Sequence, residues 1–203
     1  MAGTETDLAN AALSMIREDP LTSIDDPDDA RAIEAKRLWQ TIVRGSVLRS
    51  ADWNAVRTQA NLNQVTNPRG TEWGYCYQLP ADYLIARRIA SMNAAVYPSR
   101  FEVLWIPFEI IGKTILTDES TVMLVYTYLE TNPGVYDDLL FDACATRLAA
   151  ELAYSRAGSF KLGDEKMAIF AQKVKEAEGA NQVEGVGART LYTPSGILSA
   201  RRF

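Results

Sequence analysis

The 203-residue sequence contains no histidine, and this absence removes several kinds of chemistry at once. It excludes Ser-His-Asp catalysis, Cys-His catalysis and histidine general bases. It also excludes most zinc sites, because most of them use histidine as a ligand. Cysteine is also scarce. Cys76 and Cys144 are far apart and lack metal-ligand spacing, so we expect both to be small core residues in a reducing compartment.

Long apolar runs and a basic N-terminal region are missing as well. The longest apolar segments are interrupted by Glu102, Glu109 and Lys113, and none approaches the roughly 18 residues that span a bilayer. The first residues carry no basic stretch followed by an apolar one, which predicts that no signal peptide is present. We therefore expect a soluble protein that stays in a cytoplasm and has no membrane partner.

Positive charge is in the minority, with 21 basic against 26 acidic side chains and a net charge of −5. This excess of negative charge disfavours binding to the phosphates of nucleic acid. The charge is also uneven along the chain. Residues 31–113 carry eleven basic and six acidic side chains, residues 114–184 carry six and twelve, and residues 185–203 carry three arginines and no acid. A basic, partly aromatic end of this kind is a candidate interaction arm.

Apolar residues at helical spacing predict helices near both ends of the chain. The first two are expected over residues 6–17 and 26–49, each beginning at its N-cap residue. A third is expected to end near Ala157, and a fourth to begin at its N-cap Asp164. The residues expected to face the core are Ala35, Leu38, Trp39, Ile42, Val43, Leu140, Cys144, Leu148, Leu152, Met167, Phe170, Ala171 and Val174.

Between these helical segments the apolar period changes from 3.6 to 2, which is typical of half-buried strands. A hairpin is expected over residues 108–117, because Gly112 and Lys113 suit a two-residue type II′ turn. The other strands are expected over 56–62, 73–79, 84–92, 101–106 and 122–129.

The order of these elements predicts an α+β protein. We expect an antiparallel helical bundle built from the N- and C-terminal helices, with an inserted, mainly antiparallel β domain and an extended C-terminal arm. The predicted boundaries are 1–53 for one helical half-bundle, 54–131 for the β domain, 132–184 for the second half-bundle and 185–203 for the arm.

No segment predicts a catalytic, cofactor-binding or metal site, so the chain is not expected to be an enzyme. The acidic cluster Asp25, Asp26, Asp28 and Asp29 lacks the spacing of an EF-hand loop and is interpreted as a helix cap. The Gly-x-Gly of residues 185–187 is not expected to open a helix, so it fails as a dinucleotide fingerprint. Ser120 and Thr121 are interpreted as a turn. A carboxylate-based metalloenzyme remains an open alternative.

Aromatic residues on the predicted strands leave a second alternative open. They could stack nucleic-acid bases, with Arg87 and Arg88 nearby, as in a nucleic-acid-binding regulator. The favoured interpretation is a strand core with amphipathic tyrosines at a protein interface. The aromatic residues concerned are Tyr75, Tyr77, Trp105, Tyr126 and Tyr128.

Five segments of the chain form an ordered set of motifs. They are Ala12–Ile16 with Pro20–Asp26; Val47–Arg49 with Trp53; the Tyr-x-Tyr-x-Leu-Pro-x-Asp motif of Tyr75–Asp82; the hairpin of Phe108–Thr117; and Phe141–Ala145 with Leu148–Ala153. In this order they resemble the phage tail tubular protein A family, the head-to-tail adaptors of short-tailed phages, over about residues 5–181. The chain departs from the family pattern at Asn54-Ala55 and Tyr83-Leu84.

The resemblance implies a structural virion protein without cofactors. Copies are expected to form a ring, usually of twelve, between the portal and the tail nozzle, with tail fibre proteins left open as further partners. Double-stranded DNA would pass through the lumen without sequence recognition. The expected location is the virion neck or tail, and the host cytoplasm during assembly. A neck or head-completion ring at another level is the alternative.

The resemblance also implies roles for individual residues. The positions that define the fold would be Trp53, Tyr75, Tyr77, Pro80, Asp82 and Gly112. The portal interface would lie in the arm, at Arg189, Leu191, Tyr192, Ile197, Leu198, Arg201, Arg202 and Phe203.

Overall fold

Helical periodicity at both ends and alternating periodicity between them produce a mixed α+β protein, as predicted. The computed structural model describes residues 3–91, 106–156 and 158–185. Its α helices are α1 (Glu5–Met15), α2 (Ala30–Leu38), α3 (Arg44–Ser50), α4 (Asp138–Ser155) and α5 (Phe160–Gly185). Its strands are β1 (Arg57–Asn61), β2 (Gln64–Val65), β3 (Tyr75–Gln78), β4 (Tyr83–Ser91), β5 (Glu109–Ile111), β6 (Thr114–Thr117) and β7 (Val122–Tyr128).

The helices pack around α4, which contacts α1, α2, α3 and α5. Alanine makes this possible, because a methyl group lets neighbouring helix backbones approach closely. The alanines of α4 that are fully buried are Ala143, Ala145, Ala149, Ala150 and Ala153. Leu140, Cys144, Leu148 and Leu152 are buried with them, as predicted. Within the described ranges, no helix combines the length and the apolar character that crossing a bilayer requires.

The strands form two antiparallel sheets, in the orders β1-β7-β4 and β2-β3-β6-β5. β7 lies between β1 and β4, with Ala60 and Ile89 both opposite Leu124. This central strand is buried along most of its length, which explains its nearly continuous apolar and aromatic sequence. The side chains between the sheets build a cluster of buried residues separate from the helical one.

The hairpin of β5 and β6 confirms the predicted two-residue turn. Ile111 pairs with Thr114, so Gly112 and Lys113 are the two central residues. Gly112 has a φ of 58°, and Lys113 is not among the residues with positive φ. A type II′ turn requires positive φ at its first central residue alone.

Both N-terminal helices begin at residues other than those predicted. α1 is capped by Thr4, which forms a capping box with Asp7, while the Thr6 hydroxyl instead accepts a hydrogen bond from Ile24 N. α2 is capped by Asp29, whose side chain accepts from Arg31 N at 2.8 Å. Asp26 closes a turn ahead of it by accepting from Asp28 N. The sequence offers several capping residues, and tertiary contacts select among them.

A π-helical segment, Trp39–Val43, lies between α2 and α3 and corrects one predicted core residue. Arg44 N donates to Trp39 O, so this turn contains an extra residue. Trp39 and Val43 therefore both stay buried, whereas Ile42 rotates outward and is exposed. The prediction that Ile42 faces the core is wrong.

α5 begins earlier than predicted. Gly158, at a φ of 57°, ends the preceding turn, and the Ser159 hydroxyl accepts from Leu162 N. Asp164 lies inside the helix and its carboxylate accepts from the Tyr154 hydroxyl, so the N-cap prediction is wrong. Ala171, expected in the core, is exposed. Of the predicted strand over 101–106 only Ile106 is described, and of the predicted arm only Gly185, which ends α5.

Candidate interaction surfaces

The Tyr-x-Tyr-x-Leu-Pro-x-Asp segment fastens β3 and the following turn onto neighbouring elements. The Tyr77 hydroxyl donates to Glu119 O at 2.7 Å. The Asp82 carboxylate accepts from the Tyr126 hydroxyl at 3.0 Å, and Asp82 O accepts from Leu129 N at 2.8 Å. Pro80 O accepts from Tyr83 N, and half-buried Tyr75 packs against Tyr77. The role of the motif residues is thus to stabilise the fold, and not to supply a reactive group.

Trp53 fastens the end of α3 in a similar way. Its ring is fully buried in the helical cluster, and its indole Nε1 donates to Val47 O at 2.8 Å. Val47 O is one of the last carbonyls of α3, which find no backbone N–H donor within the helix, and it also accepts from the Ser50 hydroxyl at 2.8 Å. Trp53 therefore combines core packing with capping of a helix C-terminus.

Arg87 is a structural residue at the same junction between helices and sheet. Its guanidinium donates to Thr127 Oγ1 of β7 at 2.8 Å, to Leu48 O at 3.2 Å and to Ala51 O. The side chain is 16% exposed, with the Asp52 carboxylate 3.7 Å away. Burial lowers the pKa of the guanidinium, and the charge of Asp52 opposes this. Cations near a helix C-terminus stabilise its carbonyls.

The contacts of Arg87, Tyr77 and Tyr126 do not favour the alternative of a nucleic-acid-binding surface. Arg87 is committed to backbone carbonyls, whereas its sequence neighbour Arg88 is exposed. Tyr77 and Tyr126 are 2% and 4% exposed, so neither ring offers a face on which a base could stack. Trp105 lies outside the described residues.

The acidic cluster before α2 is used in helix capping and local ion pairs. Asp29 caps α2 and binds the Arg31 guanidinium, which confirms the capping interpretation for this residue. Asp25 pairs with Lys36 at 2.6 Å. No group of three acidic or cysteine side chains in the described ranges is arranged to hold a metal ion.

Both cysteines are free, buried core residues, as predicted. Burial raises the pKa of the Cys144 thiol far above its usual value. A raised pKa keeps the thiol protonated, and a thiol is a much weaker nucleophile than a thiolate.

One cleft of about 220 Å³ lies between the end of β1 and the starts of β2 and β7. Neutral side chains line it, with amides and hydroxyls but no acid and no base. The lining residues are Asn61, Leu62, Gln64, Tyr77, Ser120, Thr121 and Val122. Ser120 and Thr121 follow Asp118, whose carboxylate accepts from Gly74 N at 2.8 Å, in a bend as predicted.

Several large apolar side chains are exposed in the described part of the chain, and of these only Ile42 had been assigned a position, in the core. Their exposed fractions run from 37% to 74%. Most lie on the helices or on the link between β7 and α4. They are Ile33, Ile42, Ile110, Leu129, Val135, Leu139 and Phe160. For two of them the sequence does indicate exposure, because Ile33 and Leu139 do not share the helical spacing of the core residues of α2 and α4.

No model of a known protein family matches this sequence, and no curated protein is similar enough to be counted as a relative. The eight predicted portal-interface residues, from Arg189 to Phe203, lie outside the described residues.

Because the Tyr126 phenol is buried, the free energy of unfolding falls at alkaline pH. Burial and the hydrogen bond to Asp82 raise the pKa of Tyr126 from 10.0 to about 12. The stabilisation of the fold by the neutral phenol is therefore fully present below about pH 10, and it is lost as the pH rises from 10 through 12.

We expect the free energy of unfolding to fall by about 1 kcal/mol between pH 8 and pH 11 because of Tyr126 alone. Urea unfolding followed by circular dichroism across this range measures the fall, and Tyr126→Phe is the matched variant. The variant should show a smaller fall, since it has no phenol to ionise. Equal slopes for the two proteins would contradict the assignment.

Proposed function

We propose that this protein is a ring-forming head-to-tail adaptor of a short-tailed phage, which links the portal to the tail nozzle. The observation that carries the proposal is that the residues shared with the adaptor motifs make contacts on which the fold depends. Trp53 caps α3, Tyr77 and Asp82 fasten β3 and its turn to their neighbours, and Gly112 forms the hairpin turn. Motif residues with such roles support a shared fold better than matches at exposed positions would.

The finer architecture is part of the same proposal. The N- and C-terminal helices form an antiparallel bundle, the strands form an inserted domain, and residues 185–203 form an arm that reaches the portal. Packing of α1, α2 and α3 on α4 supports the bundle, because it joins helices that are distant in sequence. The arginines and apolar residues of the arm support an interface, since both are effective anchors in protein–protein contacts.

The acidic character of the chain suits a DNA conduit. A lumen that attracted phosphates would retain the genome, whereas a net charge of −5 favours passage without binding. Double-stranded DNA would cross the ring without sequence recognition, tail fibre proteins remain open as partners, and no catalysis or cofactor is required. The protein would act in the virion neck after assembly in the host cytoplasm. A neck or head-completion ring at another level would use the same kinds of surface.

A nucleic-acid-binding regulator is less well supported, because Arg87 already donates to the carbonyls of Leu48 and Ala51. Arg88, the exposed arginine next to it on β4, would have to bind phosphate without that neighbour. Salt-dependent binding of DNA by the free subunit would favour the regulator.

Deleting residues 186–203 tests the adaptor role. We expect a folded, soluble subunit that no longer joins portal-bearing heads, because the arm contributes contacts from every copy in the ring. Sedimentation of heads with the full chain and with the truncated chain measures binding, and circular dichroism checks folding. A chain in which 186–203 is replaced by a Gly/Ser segment of equal length controls for length. Binding of the truncated chain at full strength would contradict the arm, and failure of the full chain to bind any portal would contradict the adaptor.

A further inference from the structure

An exposed face of α2, the π-helical segment and α3 combines apolar and basic side chains. We call it the basic face and define it by Ile33, Arg37, Ile42 and Arg49, all of which are exposed. It lies on the side away from the core, because Ala32, Ala35 and Leu38 are the buried residues of α2. Over the helical stretch 30–50 the chain carries five basic residues and a single acid, Glu34.

The link between β7 and α4 has the opposite charge and a similar apolar content. We call residues 129–142 the acidic segment. Leu129, Val135 and Leu139 are exposed there, beside the carboxylates of Glu130 and Asp138. No basic residue occurs in the sequence between Lys113 and Arg147, so nothing nearby along the chain neutralises these acids.

Some of the charge on the two surfaces is used within the subunit. The Glu130 carboxylate accepts from Asn132 N at 2.7 Å, and the Asp137 carboxylate accepts from Leu140 N at 2.7 Å. Among the described residues, Arg49 and Asp138 form no ion pair or side-chain hydrogen bond, and Arg37 pairs only with Glu34. The Asp142 carboxylate, by contrast, pairs with Lys173 of α5. No ion pair in the described ranges joins the basic face to the acidic segment of the same chain. The two surfaces are complementary in charge, and within the described ranges Arg49 on one and Asp138 on the other have no charged partner in the same chain.

We propose that the basic face of one copy docks on the acidic segment of a second copy, and that this contact closes the ring. The proposal rests on the adaptor function proposed above and adds the surfaces that join neighbouring subunits. A head-to-tail ring requires two different patches on each subunit, and these two patches meet that condition. The isoleucines and leucines supply apolar contact, while the opposite charges fix the register and disfavour contacts between like patches.

Charge reversal in the full chain tests this contact. One variant carries Arg37→Glu with Arg49→Glu, and the other carries Glu130→Lys with Asp138→Lys. Each variant alone brings like charges together at every contact, so we expect self-association to weaken at least tenfold. An equimolar mixture should recover assembly, because the two variants can alternate around the ring with complementary charges at each contact. Light scattering of the purified subunit and its binding to portal-bearing heads report assembly.

The matched control is Arg88→Glu with Lys175→Glu, which reverses two exposed basic residues on β4 and α5. It should assemble like the wild type. Assembly of both test variants at wild-type strength would overturn the proposed contact while leaving the adaptor function standing, as would equal loss of assembly in the control. If the variant with Arg37→Glu and Arg49→Glu assembles normally but loses binding to a DNA duplex, the basic face contacts phosphate and the proposal is wrong. A wild-type chain that associates neither alone nor on heads would overturn both proposals.

Discussion

Replacing Arg87 with methionine is expected to lower the free energy of unfolding by about 2–4 kcal/mol. Methionine keeps much of the length and apolar contact of the stem but removes every donor. The carbonyls of Leu48 and Ala51 and the Thr127 hydroxyl would then lose their shared partner in a buried position. Buried acceptors without partners carry the full cost of their desolvation.

Arg88→Met is the matched control, because Arg88 is the next residue of β4 and is exposed. Its free energy of unfolding should change by less than about 0.5 kcal/mol. Urea unfolding of both variants, followed by circular dichroism, makes the comparison. Similar losses in the two variants would show that Arg87 does not hold the junction between α3 and the sheet.

The strands were predictable because their signal is local. On β1 burial alternates from residue to residue: Thr58 and Ala60 have the intermediate burial expected of a half-buried strand, whereas Arg57 and Gln59 are exposed. The hairpin turn was equally accessible, since Gly112 supplies a backbone conformation that few other residues adopt. β2 was missed because two residues, Gln64 and Val65, are too few to show a period.

Helix starts and one helix face were not predictable, because they depend on contacts distant in sequence. Thr4 and Thr6 are both residue types that cap helices; Thr4 caps α1 in a capping box with Asp7, and the Thr6 hydroxyl accepts from Ile24 N. The outward turn of Ile42 depends on an extra residue in the turn from Trp39 to Arg44. A regular helical period assigns Ile42 to the core, and no turn residue marks the change.

The candidate surfaces were only partly visible in the sequence. Arg87 and Arg88 look equivalent in one dimension, but β4 contains a bulge between Ala86 and Arg88, and only Arg87 reaches the α3 carbonyls. The opposite charges of the basic face and the acidic segment could be counted from composition. Their exposure depends on which helix faces α4 covers, and that is a property of the assembled fold.

Trp53 is expected to give the largest single loss of stability, because it combines volume with a buried hydrogen bond. Its side chain is among the largest that are fully buried, and its indole donates to Val47 O at 2.8 Å. Trp53→Ala should lower the free energy of unfolding by about 3–5 kcal/mol, the usual cost of emptying such a site. Trp53→Phe keeps part of the volume and loses the donor, so its loss should be smaller.

The Trp53→Phe and Arg87→Met changes should also be coupled. Both side chains donate to carbonyls near the C-terminus of α3, Trp53 to Val47 and Arg87 to Leu48 and Ala51. Once one donor is lost, the C-terminal end of α3 frays, and the carbonyls that accept from the other donor are then less ordered. The double variant should therefore lose less stability than the sum of the single variants, by about 0.5–3 kcal/mol. Urea unfolding of the four proteins measures this difference, and strict additivity would mean that the two residues stabilise α3 independently.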